Sequence, residues 1–159
     1  MWSGRGMICV VGGRGDVPMH DELVIELKSE LTEIARLAGQ VEAFGVRNRI
    51  PAAAISHVNL ALDELITNAM SYGIADRRSH RIRVTLRFGH GQMAVELLDN
   101  GRPFAPFGRD DPDLGASIED RAIGGLGMYF ARRLMDHVEY QHLNGQNRVT
   151  LIKKTAPGT

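Results

Sequence analysis

The sequence predicts an α/β (α+β) two-layer sandwich, in which helices cover one face of a mainly antiparallel mixed sheet. Two segments before residue 74 carry apolar residues at helical spacing. Two pairs of later segments alternate apolar and polar residues, as half-buried strands do. Turn signals at residues 89–91 and 144–145 separate the two members of each pair, so each pair is predicted to form a hairpin.

The first predicted elements are a short strand over residues 22–28 and an amphipathic helix after it. Ser29 stands between them as the predicted N-cap, because its hydroxyl can accept a hydrogen bond from a free N–H of the first helical turn. Gly45 follows the last apolar residue of the helix as a stop signal. The apolar residues at helical spacing are Leu31, Ile34, Ala35, Leu37, Ala38, Val41 and Phe44.

A second helix is predicted to begin at Pro51 and to end near Gly73. Proline suits the first position of a helix, where its missing N–H is not needed. The buried face of this helix is predicted to consist of Ile55, Val58, Leu62, Leu65 and Ala69.

The rest of the chain is predicted to form two hairpins, a loop and a third helix. Residues 82–88 and 93–97 alternate and form the first hairpin, whose second strand runs directly into Asp99. Residues 101–123 contain three prolines, three glycines and an acidic cluster, which is typical of a mobile loop. A helix is expected over residues 126–135. Residues 138–143 and 148–153 flank Asn144 and Gly145, a strong signal for a closing hairpin.

Length and composition predict one globular domain over residues 20–154, with a flexible glycine-containing arm at 1–19 and a frayed tail at 155–159. Nineteen basic residues balance nineteen acidic ones, so charge gives no reason to expect direct binding of nucleic acid or an anionic membrane. No stretch approaches the roughly 20 apolar residues of a membrane span. The single cysteine, Cys9, excludes an intramolecular disulfide and fits a cytoplasmic protein.

Glu64 and Asn68 on the second helix are the first candidate site residues. They are four positions apart, so their side chains project from the same face, one turn from each other. A carboxylate beside a carboxamide suits magnesium-assisted phosphoryl transfer, since the amide oxygen can bind the metal while the carboxylate accepts a proton. Taken alone, such a pair is more often a solvated polar pair on an exposed helix face.

Asp99 and Gly101 follow the end of a predicted strand. A carboxylate there can accept a hydrogen bond from an exocyclic amine such as that of adenine. Gly101 has no Cβ, so the backbone can approach a flat ring closely. The same residues also form a good turn sequence, which is the simpler interpretation of this segment alone.

Gly124, Gly125 and Gly127 precede the predicted third helix, where backbone N–H groups and a helix N-terminus can face phosphates. A glycine-rich hinge is the alternative. No Gly-Lys-Ser/Thr occurs in the chain, so the segment is not a P-loop. Pro18 likewise stands where a dinucleotide-binding fingerprint beginning at Gly13 requires its third glycine.

Together, in their order and spacing, the three segments resemble the N-box and the two glycine boxes of the GHKL ATPase superfamily. They are DELITNAMSYG at 63–73, DNGRPF at 99–104 and GGLGMYF at 124–130. The resemblance covers roughly residues 22–154 and implies the Bergerat ATP-binding fold, with ATP and Mg²⁺ as ligands.

The resemblance also implies a role for each matching residue. Glu64 corresponds to the catalytic base, Asn68 to the magnesium ligand, and Asp99 with Gly101 to the adenine site. The loop at about 105–123 corresponds to the ATP lid. The phosphate-facing glycines are Gly124, Gly125 and Gly127, and Thr150 in NRVTLIKK matches a threonine that supports the adenine pocket.

The three segments are most similar to those of the anti-sigma-factor serine/threonine kinases, a branch of stand-alone domains. That resemblance implies a homodimer that phosphorylates a serine of a STAS-domain anti-anti-sigma partner and sequesters a sigma factor. Two alternatives remain. One is a nucleotide-gated binding module without kinase activity. The other is a histidine-kinase catalytic domain, which His20 in the sequence HDEL weakly favours.

Overall fold

A computed structural model describes residues 20–72, 78–103 and 132–155 of the chain. Two helices and five strands lie in these ranges, and a short helical stretch at residues 132–134 falls inside the predicted third helix. The elements are β1 (Asp21–Leu27), α1 (Thr32–Arg47), α2 (Ala52–Tyr72), β2 (Ile82–Gly89), β3 (Gln92–Asp99), β4 (His137–Leu143) and β5 (Gln146–Lys154).

The strands form one sheet in the order β1-β2-β3-β5-β4, and each of the four pairings is antiparallel. This confirms the predicted α+β fold with a mainly antiparallel sheet. All four pairings of the described strands are antiparallel, so the part of the sheet that they form is antiparallel rather than mixed. Both predicted hairpins are present. Asn144 and Gly145 have φ of 53° and 75°, as a two-residue type I′ turn requires.

One face of the sheet carries the hydrophobic core. Strand alternation and the pairing register place Ile25, Val84 and Leu97 in one row across β1, β2 and β3, and all three are buried. The helices cover this face. The predicted apolar face of α2 is confirmed, since each of its five residues is buried: Ile55, Val58, Leu62, Leu65 and Ala69.

The two ends of α1 differ from the prediction. Leu31, not Ser29, is the N-cap, and no side chain caps the helix. Ser29 is buried instead, and its hydroxyl lies 2.9 Å from Nδ1 of His80. Gly45 lies within the helix rather than after it. A Cβ at Gly45 would overlap the side chain of Ile55, so the glycine allows α2 to approach α1 closely.

Helix α1 ends two residues later, in a Schellman motif. The N–H of Ile50 donates to the carbonyl of Gly45 at 2.8 Å, and the N–H of Arg49 donates to that of Val46 at 3.1 Å. Arg49 has φ of 57°, the left-handed conformation in which glycine is usual. Among the described residues, neither helix is long and apolar enough to cross a bilayer.

Candidate functional site

The structure places Glu64 and Asn68 on the same face of α2, one turn apart, as the sequence predicted. Asn68 is 8% exposed, while Glu64 is half-buried. Burial raises the pKa of the Glu64 carboxyl above its ordinary value, and the negative charge of Asp63 adds to the effect. A carboxylate with a raised pKa is a stronger proton acceptor, which suits a general base.

The chemistry of Asn68 fits a magnesium ligand. The residue is 8% exposed, and its side chain supplies a neutral amide oxygen of the kind that can coordinate Mg²⁺. No cluster of three or more His, Cys, Asp or Glu occurs within the described residues. A site with one or two protein oxygens is what Mg²⁺ needs when nucleotide phosphates and water complete its coordination.

Asp99 ends β3 on the core face of the sheet and is 3% exposed. Its Oδ1 accepts a hydrogen bond from the backbone N–H of Gly101 at 2.8 Å. The turn predicted for residues 99–101 is therefore present at the candidate adenine site. Oδ1 also lies 3.2 Å from Nε2 of His80 and 3.2 Å from Nδ2 of Asn147. Three donors therefore compensate the desolvation of this carboxylate.

Asn147 is a site residue that the sequence reasoning missed. It is fully buried and pairs with Asp99 in the β3–β5 register. Besides Asp99, its Nδ2 donates to the carbonyls of Arg102 at 2.8 Å and Gly101 at 3.3 Å. Its Oδ1 accepts the hydroxyl of Tyr140 at 2.6 Å. Asn147 thus ties the segment after β3 to β5. Counting in steps of two from the core residues Leu151 and Val149 would have found it.

Thr150, the residue predicted to support the adenine pocket, is not brought to Asp99. It pairs with Glu96 and lies three positions from Asn147, so its side chain projects from the opposite face of the sheet. It is buried there, away from the core that contains Val149 and Leu151. Asn147 contacts Asp99 in its place.

Asn100 links the end of β3 to the segment just before β2, at the same end of the sheet. Its Oδ1 accepts the backbone N–H of Arg81 at 2.7 Å, and its Nδ2 donates to the carbonyl of Ser79 at 2.8 Å. The segment just before β2 is therefore fixed against the end of β3. This contact positions His80 beside Asp99.

Several predicted features lie outside the described residues. They are Gly124, Gly125 and Gly127, the ATP lid at 105–123, most of the helix at 126–135, the arm at 1–19 and residues 156–159 of the tail. Thr155, predicted as the first tail residue, donates its N–H to the carbonyl of Gly91 at 2.8 Å. His20, the residue of the histidine-kinase alternative, directly precedes β1 and stacks on His90, rather than lying on a helix.

Comparison with known protein families decides the class of this domain. Residues 27–153 match the family described as the histidine kinase-like ATPase domain. The chain belongs to this family. The match spans β2 to β5 except the last residue of β5, and it includes both helices, only Leu27 of β1, and every predicted site residue. The GHKL resemblance drawn from the three motifs is thereby confirmed.

Characterised relatives of this ATPase domain are serine kinases and anti-sigma factors by name. The serine/threonine-protein kinase BtrW of Bordetella bronchiseptica is 28% identical over 133 residues, which cover 84% of this chain and 94% of BtrW. The serine-protein kinase RsbW of Listeria monocytogenes is 28% identical, and the match covers 80% of this chain and 83% of RsbW. The anti-sigma F factor of Clostridium beijerinckii is 26% identical, and the match covers 80% of this chain and 87% of that protein.

Solved structures support the fold of the ATPase domain. A crystal structure of the RsbU and RsbW domains of a Mycobacterium tuberculosis protein matches with a TM-score of 0.62 at 18% identity. The match covers 84% of this chain but only 32% of that longer one. A blue-light activated histidine kinase domain from Erythrobacter litoralis matches with a TM-score of 0.51 at 17% identity, covering 79% of this chain and 60% of that one.

Proposed function

We propose that this ATPase domain is a serine protein kinase and anti-sigma factor that works by partner switching. Relatives that align over most of their own length carry these names, and the chain has a carboxylate where such a kinase needs a base. The observation that carries the proposal is the state of Glu64. It lies one turn from Asn68, and burial raises its pKa.

In the proposed reaction, Glu64 accepts the proton of a partner serine as its hydroxyl attacks the γ-phosphate of ATP. The new bond joins the serine oxygen to phosphorus, and the bond to the β-phosphate oxygen breaks, leaving ADP. Asn68 would hold Mg²⁺, which would supply positive charge beside the phosphates. Partial exposure of Glu64 leaves it accessible to the partner, while its desolvation increases its basicity.

Asp99 and Gly101 are proposed to bind adenine, with the exocyclic amine donating to the carboxylate. The support for this role is the fixed, charge-compensated carboxylate at the end of β3. Gly124, Gly125 and Gly127 are proposed to face the phosphates, and residues 105–123 to act as the lid. These assignments rest on the order of the sequence motifs.

The proposed partners rest on two grounds. A sigma factor, which the domain sequesters, is proposed because one relative is named an anti-sigma F factor. A STAS-domain anti-anti-sigma protein, whose serine the domain phosphorylates, is proposed from the resemblance of the three motifs. We propose that it acts as a homodimer in the cytoplasm, where sigma factors function, and that it makes no direct contact with DNA.

The role of Glu64 is tested by a pair of neighbouring substitutions. Glu64→Gln removes the base but keeps the shape of the side chain, so ATP should still bind while phosphate transfer to the STAS partner is lost. Asp63→Asn changes the adjacent exposed carboxylate and should retain transfer. It should also move the acid limb of the rate profile to lower pH, because the charge of Asp63 raises the pKa of Glu64. Normal transfer by Glu64→Gln would remove Glu64 from its proposed role.

The adenine assignment has its own test. Asp99→Asn replaces an acceptor-only carboxylate by an amide and should weaken ATP binding about tenfold, the effect of one hydrogen bond to a charged group. Isothermal titration with ATP measures the change. Unchanged affinity would exclude Asp99 from the adenine site without affecting the role of Glu64.

A further inference from the structure

His80 links Asp99 to a second buried side chain, Ser29. The Nε2 atom of His80 lies 3.2 Å from Oδ1 of Asp99, and its Nδ1 lies 2.9 Å from Oγ of Ser29. The side chains of His80 and Asp99 are 2% and 3% exposed, and Ser29 is 4% exposed. The three residues come from separate segments: Ser29 follows β1, His80 precedes β2, and Asp99 ends β3.

The chemistry of the three groups determines where the protons lie. An ionised Asp99 only accepts hydrogen bonds, so Nε2 of His80 must carry a hydrogen. In the neutral ring Nδ1 is then an acceptor, and the hydroxyl of Ser29 can supply the hydrogen that it needs. Asp99 therefore selects the tautomer, and Ser29 satisfies the other ring nitrogen and holds the ring in place. Every polar atom of the imidazole is satisfied in this arrangement, as burial requires.

The consequence for Asp99 is a fixed carboxylate with unequal oxygens. His80 approaches Oδ1 from the β2 side and Asn147 from the β5 side, while Gly101 donates from the turn. No donor among the described residues is assigned to the other oxygen, Oδ2. Rotation of the carboxylate would break three hydrogen bonds, so Oδ2 is kept as the oxygen that accepts from a ligand.

We propose that His80, supported by Ser29, is the positioning residue that sets the base specificity of the nucleotide site. A fixed acceptor selects a purine with an amine at position 6. It rejects a purine with a carbonyl there, since two acceptors would face each other. Without His80, Asp99 can rotate, and this change weakens the selection. The inference rests on the proposed binding of adenine by Asp99 and extends it to a residue outside the three sequence motifs.

The experiment compares ATP with inosine triphosphate, which differs at position 6 of the base. Affinities for both nucleotides are measured by calorimetry for the wild-type protein and three variants. His80→Leu removes the donor but fills the apolar space. His80→Gln keeps an N–H near the position of Nε2. Ser29→Ala removes only the supporting hydroxyl. Thermal unfolding is recorded for each protein, so that loss of the fold is separated from loss of selection.

We expect His80→Leu to weaken ATP binding about tenfold and to leave inosine triphosphate binding unchanged. His80→Gln should restore most of the preference, and Ser29→Ala should lower it by a smaller factor. Equal weakening of both nucleotides in His80→Leu would show a merely structural role and overturn the proposal. If His80→Leu does not fold, an unchanged preference in Ser29→Ala overturns it instead.

The design separates this inference from the proposed function. If the wild-type protein binds neither nucleotide, the ATP-dependent function fails, and the inference fails with it. If the wild-type protein prefers ATP and Asp99→Asn loses that preference, the adenine site stands. An unaltered preference in His80→Leu would then refute the role of His80 alone.

Discussion

Replacing Asn147 by alanine should both destabilise the domain and weaken ATP binding. The side chain is fully buried and joins Asp99, the carbonyl of Arg102 and the hydroxyl of Tyr140. Alanine removes all of these contacts and leaves the carboxylate with fewer donors. It also releases the segment after β3 from β5, which is where adenine is proposed to bind.

The expected loss of stability is worked from the individual hydrogen bonds. The bond to the charged Asp99 contributes about 1.5–3 kcal/mol, and the neutral bond to Arg102 at 2.8 Å contributes about 1 kcal/mol. The Nδ2 group has two hydrogens, so the 3.3 Å contact to Gly101 adds little beyond these. Tyr140 is only half-buried and can bond to water instead. We therefore expect a loss of about 3 kcal/mol, which lowers the melting temperature by roughly 6–12 °C.

Urea unfolding followed by circular dichroism measures this loss, and calorimetry with ATP measures the change in affinity. Thr150→Val is the matched control, because Thr150 lies on the same strand with its side chain on the opposite face. Its ATP affinity should equal that of the wild-type protein. The reasoning is refuted if Asn147→Ala costs less than about 1 kcal/mol, the size of a single ordinary hydrogen bond. Weaker ATP binding by Thr150→Val would restore the residue that the sequence predicted.

Three further predictions concern packing, a helix end and pH. Gly45→Ala should cost about 1–3 kcal/mol in urea unfolding, because its Cβ would overlap Ile55. The exposed Gly39→Ala, which meets no atom within 4 Å, should instead stabilise α1 by up to about 1 kcal/mol. A loss at Gly39 as large as at Gly45 would contradict the packing argument. Arg49→Gly should raise the melting temperature slightly, since it removes a strained left-handed residue at φ 57° from the Schellman motif. The rate of phosphate transfer should fall as pH drops through the raised pKa of Glu64, which must be ionised to act as a base. The stability linked to Glu64 has the opposite sign: it is present at low pH and lost as pH rises through that pKa, and Glu64→Gln should abolish this dependence in pH-dependent urea titrations.

The fold was largely predictable because periodicity reports burial. The apolar residues of α2 repeat at helical spacing. The alternation of apolar and polar residues predicts both described hairpins, and Asn144-Gly145 predicts the turn of the second one. The placement of Glu64 and Asn68 on one face of α2 was predictable because it depends only on helix geometry. The position of Asp99 at a strand end was predictable from the alternation that precedes it.

The sequence predictions failed where the role of a residue depends on a contact with a residue distant in the sequence. Ser29 looked like a helix cap, but its partner is His80, 51 positions later. Gly45 looked like a helix stop, but it is small because Ile55 of the next helix lies against it. Thr150 was predicted from residue type without strand register, and the register places its side chain on the face of the sheet opposite to Asp99.

The central claim is that the domain transfers phosphate from ATP to a serine of a protein partner. The most direct test incubates the purified protein with Mg²⁺, ATP and a STAS-domain protein from the same genome, and then maps the phosphorylated residue by mass spectrometry. We expect phosphoserine on the partner, with ADP released in equal amount. Phosphohistidine on His20, or tight sigma-factor binding with no phosphate transferred to any such partner, would contradict the claim.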